Sequence, residues 1–284
     1  MNPKRLLLKV GGSALRDGSV LTVVGSAIAE LRHAGHEILV VHGGGPAINQ
    51  ELERRGISWQ FIDGQRVTTP EMMDVIEMVL CGRVNRQLVR KLALSGFDCV
   101  GFAGTDAGLL SCVPASAQLG RVGQVEHVNS SVLAAWLTDN VGGVPIIAPV
   151  GLGADGECYN INADWAASQI AVAVKCQSLI FLTDQEGIWD ENRRVREQLT
   201  AQQVQGLIER EIARDGMKVK CRAILHALHS GVEMVRVMEA SSCLQGLRNP
   251  AIGTRCVREN EATETETAPA TSAGSSWRGS RPFR

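Results

Sequence analysis

Two glycine-rich segments, each preceded by an apolar run, are the parts of this sequence best suited to binding an anion. Residues 6–10 lead into the glycines at 11–12, and residues 37–42 lead into the glycines at 43–45. Each pattern is typical of a buried strand, a turn without side chains and a helix, which together direct backbone N–H groups at a ligand. Lys9 adds a positive charge at the same edge, and glycine lets an anion approach the main chain closely. The two segments therefore predict a phosphate-binding edge.

Polar side chains farther along the chain could meet an anionic substrate. Arg66 lies on a predicted hairpin, whose Asp63-Gly64 pair is a strong signal for a two-residue turn. A guanidinium pairs with a carboxylate through two parallel hydrogen bonds, although an exposed arginine would also explain this residue. Asn160 and Asp164 flank the start of a predicted helix, and Asn162 between them is a suitable N-cap. On spacing alone, a capped helix start explains these residues as well as a functional site does.

The second half of the chain contains candidate residues for a nucleotide and its phosphates. Asp184 and Gly187 follow the apolar residues 179–182, where a nucleotide-binding loop is expected at the end of a strand. Lys218 and Lys220 lie near the start of a predicted helix, where a positive charge opposes the helix dipole. This local cost favours a function for one of the two lysines, although two exposed lysines are an alternative. The sequence contains no Walker A pattern and no HRD or DFG signature, so any phosphate chemistry uses another fold.

Apolar periodicity and turn residues predict an alternation of strands and helices that holds these residues in place. Predicted strands cover 6–10, 37–42, 99–102, 144–149, 178–183, 232–237 and 252–257, with a hairpin at 59–68 and an antiparallel excursion at 120–128. Predicted helices cover 19–34, 46–55, 70–94, 129–137, 163–175, 200–211 and 217–230. This alternation indicates a three-layer α/β/α fold, with an open, mainly parallel sheet covered by helices on both faces. Open sheets of this kind bind ligands outside the carboxyl ends of their strands.

The organisation of the chain predicts two lobes that share or abut one sheet. We expect an N-terminal lobe at residues 1–165 and a C-terminal lobe at residues 166–257. From residue 258 onward, glutamates alternate with small polar residues, a composition that cannot bury enough apolar surface to fold. We therefore expect residues 258–284 to form a disordered tail.

The overall composition argues against several kinds of partner. A formal net charge of -1 and an aromatic content of 4% argue against nucleic-acid binding by charge or by base stacking. The first strand begins too early for a signal peptide to precede it, and no apolar stretch is long enough to span a bilayer. The eight cysteines contain no CxxC pair, so buried thiols in a reducing cytosol are favoured over zinc ligands or disulfides. We expect a cytoplasmic protein without a membrane partner or a metal-binding cluster.

Eight short motifs occur in a specific order along the chain. They are Lys-Val-Gly-Gly at 9–12, His-Gly-Gly-Gly-Pro at 42–46, Asp-Gly-Gln-Arg-Val-Thr at 63–68, Glu-Met-Val-Leu-Cys-Gly-Arg-Val-Asn at 77–85, Asn-Ile-Asn-Ala-Asp at 160–164, Leu-Thr-Asp at 182–184, Asp-Gly-Met-Lys-Val-Lys at 215–220 and Ile-Gly-Thr at 252–254. Any one of these motifs is a weak signal. Their joint order resembles the N-acetyl-L-glutamate kinase family of the amino acid kinase superfamily, and the resemblance covers about residues 6–257.

The resemblance implies a reaction and its two substrates. Members of this family use ATP to phosphorylate the γ-carboxylate of N-acetyl-L-glutamate in arginine biosynthesis, with Mg²⁺ carried mainly by the ATP phosphates. A carboxylate is ionised at neutral pH, so the reaction needs no general base and depends on positive charge and alignment. One extra methylene changes binding by only about 1–3 kcal/mol, so N-acetyl-aminoadipate, or aminoadipate on a carrier protein, is an alternative acceptor. A non-catalytic nucleotide-binding relative is a second alternative.

The resemblance also implies roles for individual residues. Lys9 and Lys220 would lie on either side of the transferred phosphoryl group, and Asp164 would hold both lysines in place. The ATP-binding residues would be Gly11, Gly12, Asp184 and Gly187. The residues that bind the acetylated substrate would be Gly44, Gly45, Arg66 and Asn160.

The resemblance further implies an assembly. We expect a homodimer with the predicted helix at 70–94 as its contact, although a core-facing helix would show the same apolar pattern. Arginine-inhibited members carry an additional N-terminal helix, whereas here the first strand begins near Arg5. We therefore expect a form similar to the dimeric, arginine-insensitive members, acting on small molecules.

Overall fold

A computed structural model of the protein describes residues 4–12, 14–137 and 142–259. Their regular structure consists of fourteen strands, nine α-helices, four short 3₁₀ segments and one π-helical segment. The strands are β1 (Arg5–Val10), β2 (Glu37–His42), β3 (Phe61–Ile62), β4 (Gln65–Arg66), β5 (Cys99–Ala103), β6 (Leu110–Pro114), β7 (Gly123–Val128), β8 (Val144–Ala148), β9 (Val150–Gly153), β10 (Cys158–Asn160), β11 (Ser178–Thr183), β12 (Gln198–Thr200), β13 (Met234–Glu239) and β14 (Thr254–Val257). The α-helices are α1 (Gly18–His33), α2 (Gly45–Arg54), α3 (Pro70–Glu77), α4 (Asn85–Ala93), α5 (Ser131–Leu137), α6 (Ala163–Ala173), α7 (Ala201–Glu209), α8 (Asp215–His229) and α9 (Cys243–Arg248). Apart from its first two residues, the predicted tail lies outside the described residues.

Eight of the strands form one sheet, in the order β12-β14-β13-β11-β1-β2-β8-β5. Its pairs are parallel, except that β13 and β14 are antiparallel. The prediction of an open, mainly parallel α/β sheet is confirmed. Because β11 pairs directly with β1, the two halves of the chain build a single continuous sheet.

Alternate residues along the central strands point to opposite faces of this sheet. Leu7 and Leu39 pack into a core with α6 and α8, whereas Leu8 and Val40 pack into a core with α1 and α4. Both faces are buried, which explains the uninterrupted apolar runs of these strands. The predicted three-layer arrangement is therefore present.

Two smaller sheets contribute residues to the region of the glycine turns. One has the order β10-β9-β6-β7, and the other is the hairpin of β3 and β4. Asp63 and Gly64 have φ angles of 49° and 76°, the positive values of the type I′ turn that an Asp-Gly pair predicts. The hairpin strands are shorter than the prediction. The sequence predicts only β7 of the four-stranded sheet. β9 and β10 have four and three residues, too few to show a clear period, and β6 ends in exposed Val113 and Pro114, which interrupt its alternation.

The predicted helix at 70–94 is continuous but not α-helical throughout. Between α3 and α4, Met78–Val84 forms a π-helical segment with a wider turn. Apolar periodicity does not reveal such a segment, because both kinds of helix bury one stripe of side chains against the core. π-helical segments are frequent at functional sites, and this one ends directly before Asn85.

Most of the cysteine side chains lie in the interior of the protein. All eight cysteines are free, and five of them are buried. Burial raises the pKa of the Cys176 thiol to about 12, so this group behaves as a small apolar residue. None of the described helices combines the length and the apolar character that crossing a membrane requires.

Candidate active site

One carboxylate bridges two lysines from distant parts of the chain. Asp164 Oδ1 and Lys9 Nζ are 2.7 Å apart, and Asp164 Oδ2 and Lys220 Nζ are 2.8 Å apart. The three residues come from α6, β1 and α8, and all of them are buried. Lys220 Nζ also lies 4.8 Å from the centroid of the Phe181 ring, in a cation–π contact. The structure thus brings the three predicted catalytic residues together, with two cations for one anion.

Charge and burial determine the ionisation of this cluster. Burial alone would raise the pKa of Asp164, but the attraction of Lys220 and Lys9 outweighs it and holds that pKa well below its usual value. Burial lowers the pKa of Lys220, against the attraction of Asp164. Asp164 also lies in the first turn of α6, which Asn162 caps by accepting from the Asp164 N–H at 2.9 Å, as predicted. The carboxylate is ionised and engaged on both oxygens, so it anchors the lysines and cannot act as a base.

The two glycine turns lie against each other. A Cβ on Gly12 would come within 2.8 Å of Pro46 Cδ and 3.2 Å of the Gly45 nitrogen, so no larger residue fits there. The Gly11 N–H donates to the Leu182 carbonyl at 2.8 Å. This amide is therefore engaged in the sheet. Of the two glycines, Gly12 lines the cleft described below, and contact of Gly11 and Gly12 with ATP phosphates stays a prediction.

The second glycine turn is held between β1 and the π-helical segment. The Gly43 N–H donates to the Val10 carbonyl at 2.9 Å, and a Cβ on Gly44 would collide with the Leu80 side chain. Gly45 begins α2, so this turn leads directly to a helix N-terminus. The unpaired N–H groups of a helix N-terminus favour an anion.

Arg66 is a buried cation that has no carboxylate partner among the described residues. Its guanidinium carbon lies 4.8 Å from the Phe61 ring centroid and 5.6 Å from that of Trp59. Nη2 donates to Asn49 Oδ1, whereas the buried Nη1 has no hydrogen-bond partner in the described part of the chain. Burial lowers the pKa of Arg66 to about 10, so it is charged at neutral pH. An unpaired buried cation is costly, and a carboxylate in the cleft would satisfy it.

Asn160 and Arg66 are linked through a buried hydroxyl. Asn160 Nδ2 donates to Thr68 Oγ1 at 3.2 Å, and the Thr68 hydroxyl donates to the Arg66 carbonyl at 2.9 Å. Sequence reasoning missed Thr68 and Asn49 as supporting residues. Thr68 belongs to the hairpin motif, which is a signal that could have identified it. Asn49 on α2 has no such signal.

These groups line one cleft with a volume of about 380 Å³. The predicted residues that line it are Lys9, Gly12, Gly44, Gly45, Arg66, Asn160 and Asp164. The hairpin reaches from this cleft to the helix that carries Lys220, because a Cβ on Gly64 would lie 3.1 Å from Val219 Cγ2. A cleft of this size and polarity suits a small charged molecule.

Asp184 and Gly187 lie beyond the end of β11, outside the lining of this cleft. Leu182 is opposite Val10 in the register of β11 and β1, so Asp184 lies at the same sheet edge as the first glycine turn. A Cβ on Gly187 would meet Val195 Cγ1 at 2.6 Å. Close packing is therefore one sufficient reason for a glycine at position 187. Nucleotide contact by these two residues stays a prediction.

Among the described residues, no three or more His, Cys, Asp and Glu side chains are grouped so that they could hold a metal ion. Both oxygens of Asp164 are paired with lysines, so this carboxylate is not available as a ligand. The predicted binding of Mg²⁺ through ATP phosphates stays a prediction.

The fold and the cleft define an α/β protein with a cationic cleft at the carboxyl edge of an open sheet. The chain belongs to the amino acid kinase family, whose sequence profile matches residues 4–239. The resemblance inferred from the ordered motifs is confirmed.

Relatives and a solved structure match over most of their length. The acetylglutamate kinase of Jannaschia sp. (strain CCS1) is 38% identical over 238 residues, covering 84% of this chain and 83% of that protein. The acetylglutamate kinase of Symbiobacterium thermophilum is 36% identical over 271 residues, covering 90% and 92%. A Streptococcus mutans UA159 protein of known structure superposes with a TM-score of 0.78 at 29% identity, covering 89% of this chain and 98% of that one. The similarity therefore involves the whole fold and not one motif.

Proposed function

We propose that this chain is an acetylglutamate kinase, which transfers the terminal phosphoryl group of ATP to the γ-carboxylate of N-acetyl-L-glutamate in arginine biosynthesis. Relatives of this name align with most of the chain. The observation that carries the proposal is the buried Arg66, with its unpaired Nη1, in the same cleft as the lysine-bridging Asp164. Cations at two positions of one cleft suit two anions, an acceptor carboxylate and a phosphate chain.

The reaction forms one P–O bond and breaks another. A γ-carboxylate oxygen of the acceptor attacks the terminal phosphorus, the bond to the bridging oxygen breaks, and ADP leaves with that electron pair. The acceptor is already an anion, so no proton has to be removed first. The barrier is the repulsion between two anions and the charge spread over the transferred group. Lys9 and Lys220 supply the opposing charge, and Asp164 holds their ammonium groups in place.

We assign acceptor binding to the residues of the second glycine turn and the hairpin. Gly44 and Gly45 donate backbone N–H groups to the acceptor carboxylate, Arg66 clamps it, and Asn160 holds the acetamido end. The support for Arg66 is its unpaired Nη1. The support for Asn160 is its link to Arg66 through Thr68, which fixes both residues relative to each other.

We assign ATP to the first glycine turn and the end of β11. Gly12 contacts the phosphates beside Lys9, and Asp184 and Gly187 lie along the nucleotide. Mg²⁺, bound through the phosphates, supplies further positive charge. In this assignment, phosphate oxygens provide the ligands of the metal ion.

The proposal also includes the roles of the two lobes, the oligomeric state and the cellular location. Residues 1–165 act as the acyl-amino-acid lobe and residues 166–257 as the ATP lobe of a cytoplasmic homodimer. The eight free thiols fit a reducing compartment. The helix of α3, the π-helical segment and α4 forms the dimer contact, and Met78 in this helix is 45% exposed.

An acyl-phosphate assay with hydroxylamine trapping tests the proposed acceptor. We expect ATP-dependent hydroxamate from N-acetyl-L-glutamate, and a kcat/KM lower by roughly 10- to 200-fold for N-acetyl-aminoadipate, which has one more methylene. A higher kcat/KM with the aminoadipate derivative would identify that compound, and not N-acetyl-L-glutamate, as the preferred acceptor. Measurable ATP binding without hydroxamate from any acid would favour a non-catalytic relative.

A further inference from the structure

His42 and Asn85 form a buried polar pair to which the proposed reaction assigns no role. His42 is the last residue of β2 and Asn85 is the first residue of α4, and both are fully buried. His42 is opposite Val10 in the register of β2 and β1, one position beyond Lys9. The pair therefore lies on the face of the sheet opposite to the lysine cluster, behind the second glycine turn.

The contacts of the imidazole determine which nitrogen carries the hydrogen. Nδ1 is 2.8 Å from the Gly43 carbonyl oxygen, which only accepts, so Nδ1 donates. Nε2 is 3.2 Å from Asn85 Nδ2. The same Nδ2 also donates to the Ile146 carbonyl at 2.8 Å and lies 3.4 Å from the Phe102 carbonyl oxygen. The Asn85 amide thus turns its NH₂ group to the ring, and Nε2 accepts. The ring is neutral, and burial accordingly lowers the pKa of His42 to about 4.

The hydrogen bond from Nδ1 fixes one peptide group of the turn. The C=O and N–H bonds of a trans peptide lie in one plane and point in opposite directions. Since the Gly43 carbonyl points to the His42 ring, the Gly44 N–H of the same peptide points away from the ring. Gly44 lines the cleft, and no acceptor in the described chain takes its backbone N–H.

We propose that His42 is a positioning residue, which aims the Gly44 N–H at the acceptor carboxylate by holding the Gly43 carbonyl, and that Asn85 orients the ring. The identity of the acceptor rests on the proposed function. A peptide between two glycines rotates easily, because neither residue restricts its backbone angles. Without the ring, this N–H can turn away although no residue of the cleft has changed.

Burying the Asn85 side chain leaves one of its polar atoms unpaired, which is unfavourable and calls for a compensating role. Its Oδ1 is buried and has no hydrogen-bond partner in the described chain. An apolar side chain of similar size would avoid this cost. The NH₂ group of this amide contacts the His42 ring and also two main-chain carbonyls of the sheet, so it fixes the ring relative to the strands behind it.

Kinetics of three variants separate positioning from packing. His42→Leu removes both hydrogen bonds and keeps apolar bulk, so we expect the KM for N-acetyl-L-glutamate to rise roughly 10- to 100-fold, the loss for one hydrogen bond to a charged group. The KM for ATP should not change. His42→Asn places an amide nitrogen near the position of Nδ1 and should restore most of the loss. Val40→Ala, on the same strand and face, is the control for lost packing and should not separate the two KM values.

Two outcomes of this comparison would overturn the positioning role. One is a parallel change of both KM values in His42→Leu, and the other is a His42→Asn variant no better than His42→Leu. If His42→Leu does not fold, Asn85→Ser takes its place. In Asn85→Ser the His42 ring loses the amide that orients it. We therefore again expect a higher KM for N-acetyl-L-glutamate and an unchanged KM for ATP.

The ring itself provides a test that does not depend on activity. The ¹⁵N shifts of the His42 ring in the wild-type protein at neutral pH should show hydrogen on Nδ1 only. Hydrogen on Nε2 would overturn the inference. A wild-type protein with the expected tautomer but no activity on N-acetyl-L-glutamate would contradict the proposed function and leave the geometry of the turn intact.

Discussion

Asp164 determines where two ammonium groups lie, because each of its oxygens contacts one of them. Two cations share this single anion, and in the proposed reaction their excess positive charge stabilises the transferred phosphoryl group. Removing Asp164 would leave two buried cations without a partner, which is a strongly destabilising change. Removing one lysine leaves Asp164 paired with the other. The lysine variants are therefore the cleaner tests of the mechanism.

We expect Lys220→Ala to lower kcat by at least roughly 10²- to 10³-fold, the loss for one group that stabilises transition-state charge. The protein should stay folded, because Asp164 keeps its contact with Lys9. Steady-state kinetics and thermal unfolding measure both effects. Lys218→Ala, two positions away on α8 and outside the Asp164 cluster, is the matched control and should keep nearly full turnover. Near-wild-type kcat in Lys220→Ala would contradict the mechanism.

At the scale of elements, Arg236 on β13 holds the end of α9 and the turn into β14. Its Nη1 donates to the Gly246 carbonyl at 2.7 Å, its Nη2 to the Asn249 carbonyl at 2.8 Å, and its Nε to the Ile252 carbonyl at 3.1 Å. The last carbonyls of a helix have no partners within the helix. A buried guanidinium thus replaces a glycine cap at this helix end.

We expect Arg236→Met to lower the free energy of unfolding by about 2–4 kcal/mol, because three carbonyls lose a charged donor. Urea unfolding measures this change. Arg255→Met is the control, since Arg255 is opposite Arg236 in the register of β13 and β14 and is only partly buried. Arg255→Met should lower the free energy of unfolding by less than about 1 kcal/mol. If both variants lower the free energy of unfolding equally, the loss of a positive charge would explain the effect, and the carbonyl contacts of Arg236 would not.

At the scale of the whole molecule, several contacts join the two halves, and two of them lie near the lysines. β1 and β11 pair along the centre of the sheet, and the hairpin tip at Gly64 packs against α8. Lys9 lies on β1 and Lys220 on α8, so each half contributes one lysine to the cluster. The relative position of Lys9 and Lys220 therefore depends on the complete fold and not on either half alone.

We expect the protein to have twice its chain mass of 30.5 kDa in solution. Met78→Glu places a charge in the proposed dimer contact and should shift the protein to monomer at micromolar concentration, as measured by light scattering. Val113→Glu is the control, since Val113 is also partly exposed, at 38%, but lies on β6. A monomeric wild type, or a Met78→Glu dimer as stable as the control, would contradict this contact.

Local features of the sequence predicted the local structure well. The Asp63-Gly64 turn and the Asn162 cap have the predicted form, because each depends on neighbouring residues only. The strand at 178–183 was predicted from its apolar run, which is buried on both faces of the sheet. Three strands of the second sheet and the π-helical segment were missed. Two of those strands, β9 and β10, have too few residues for a period, and the π-helical segment differs from an α-helix only in its turn width.

The sequence by itself determined the family and the candidate residues of the cleft, because eight ordered motifs and their residue types are properties of the chain. Only the tertiary structure decided which groups meet. It pairs Asp164 with Lys220, 56 positions away, it engages the Gly11 N–H with the Leu182 carbonyl, and it places His42 against Asn85. The physical reason is that these contacts depend on the order of strands in the sheet. That order brings residues distant along the chain within hydrogen-bond reach.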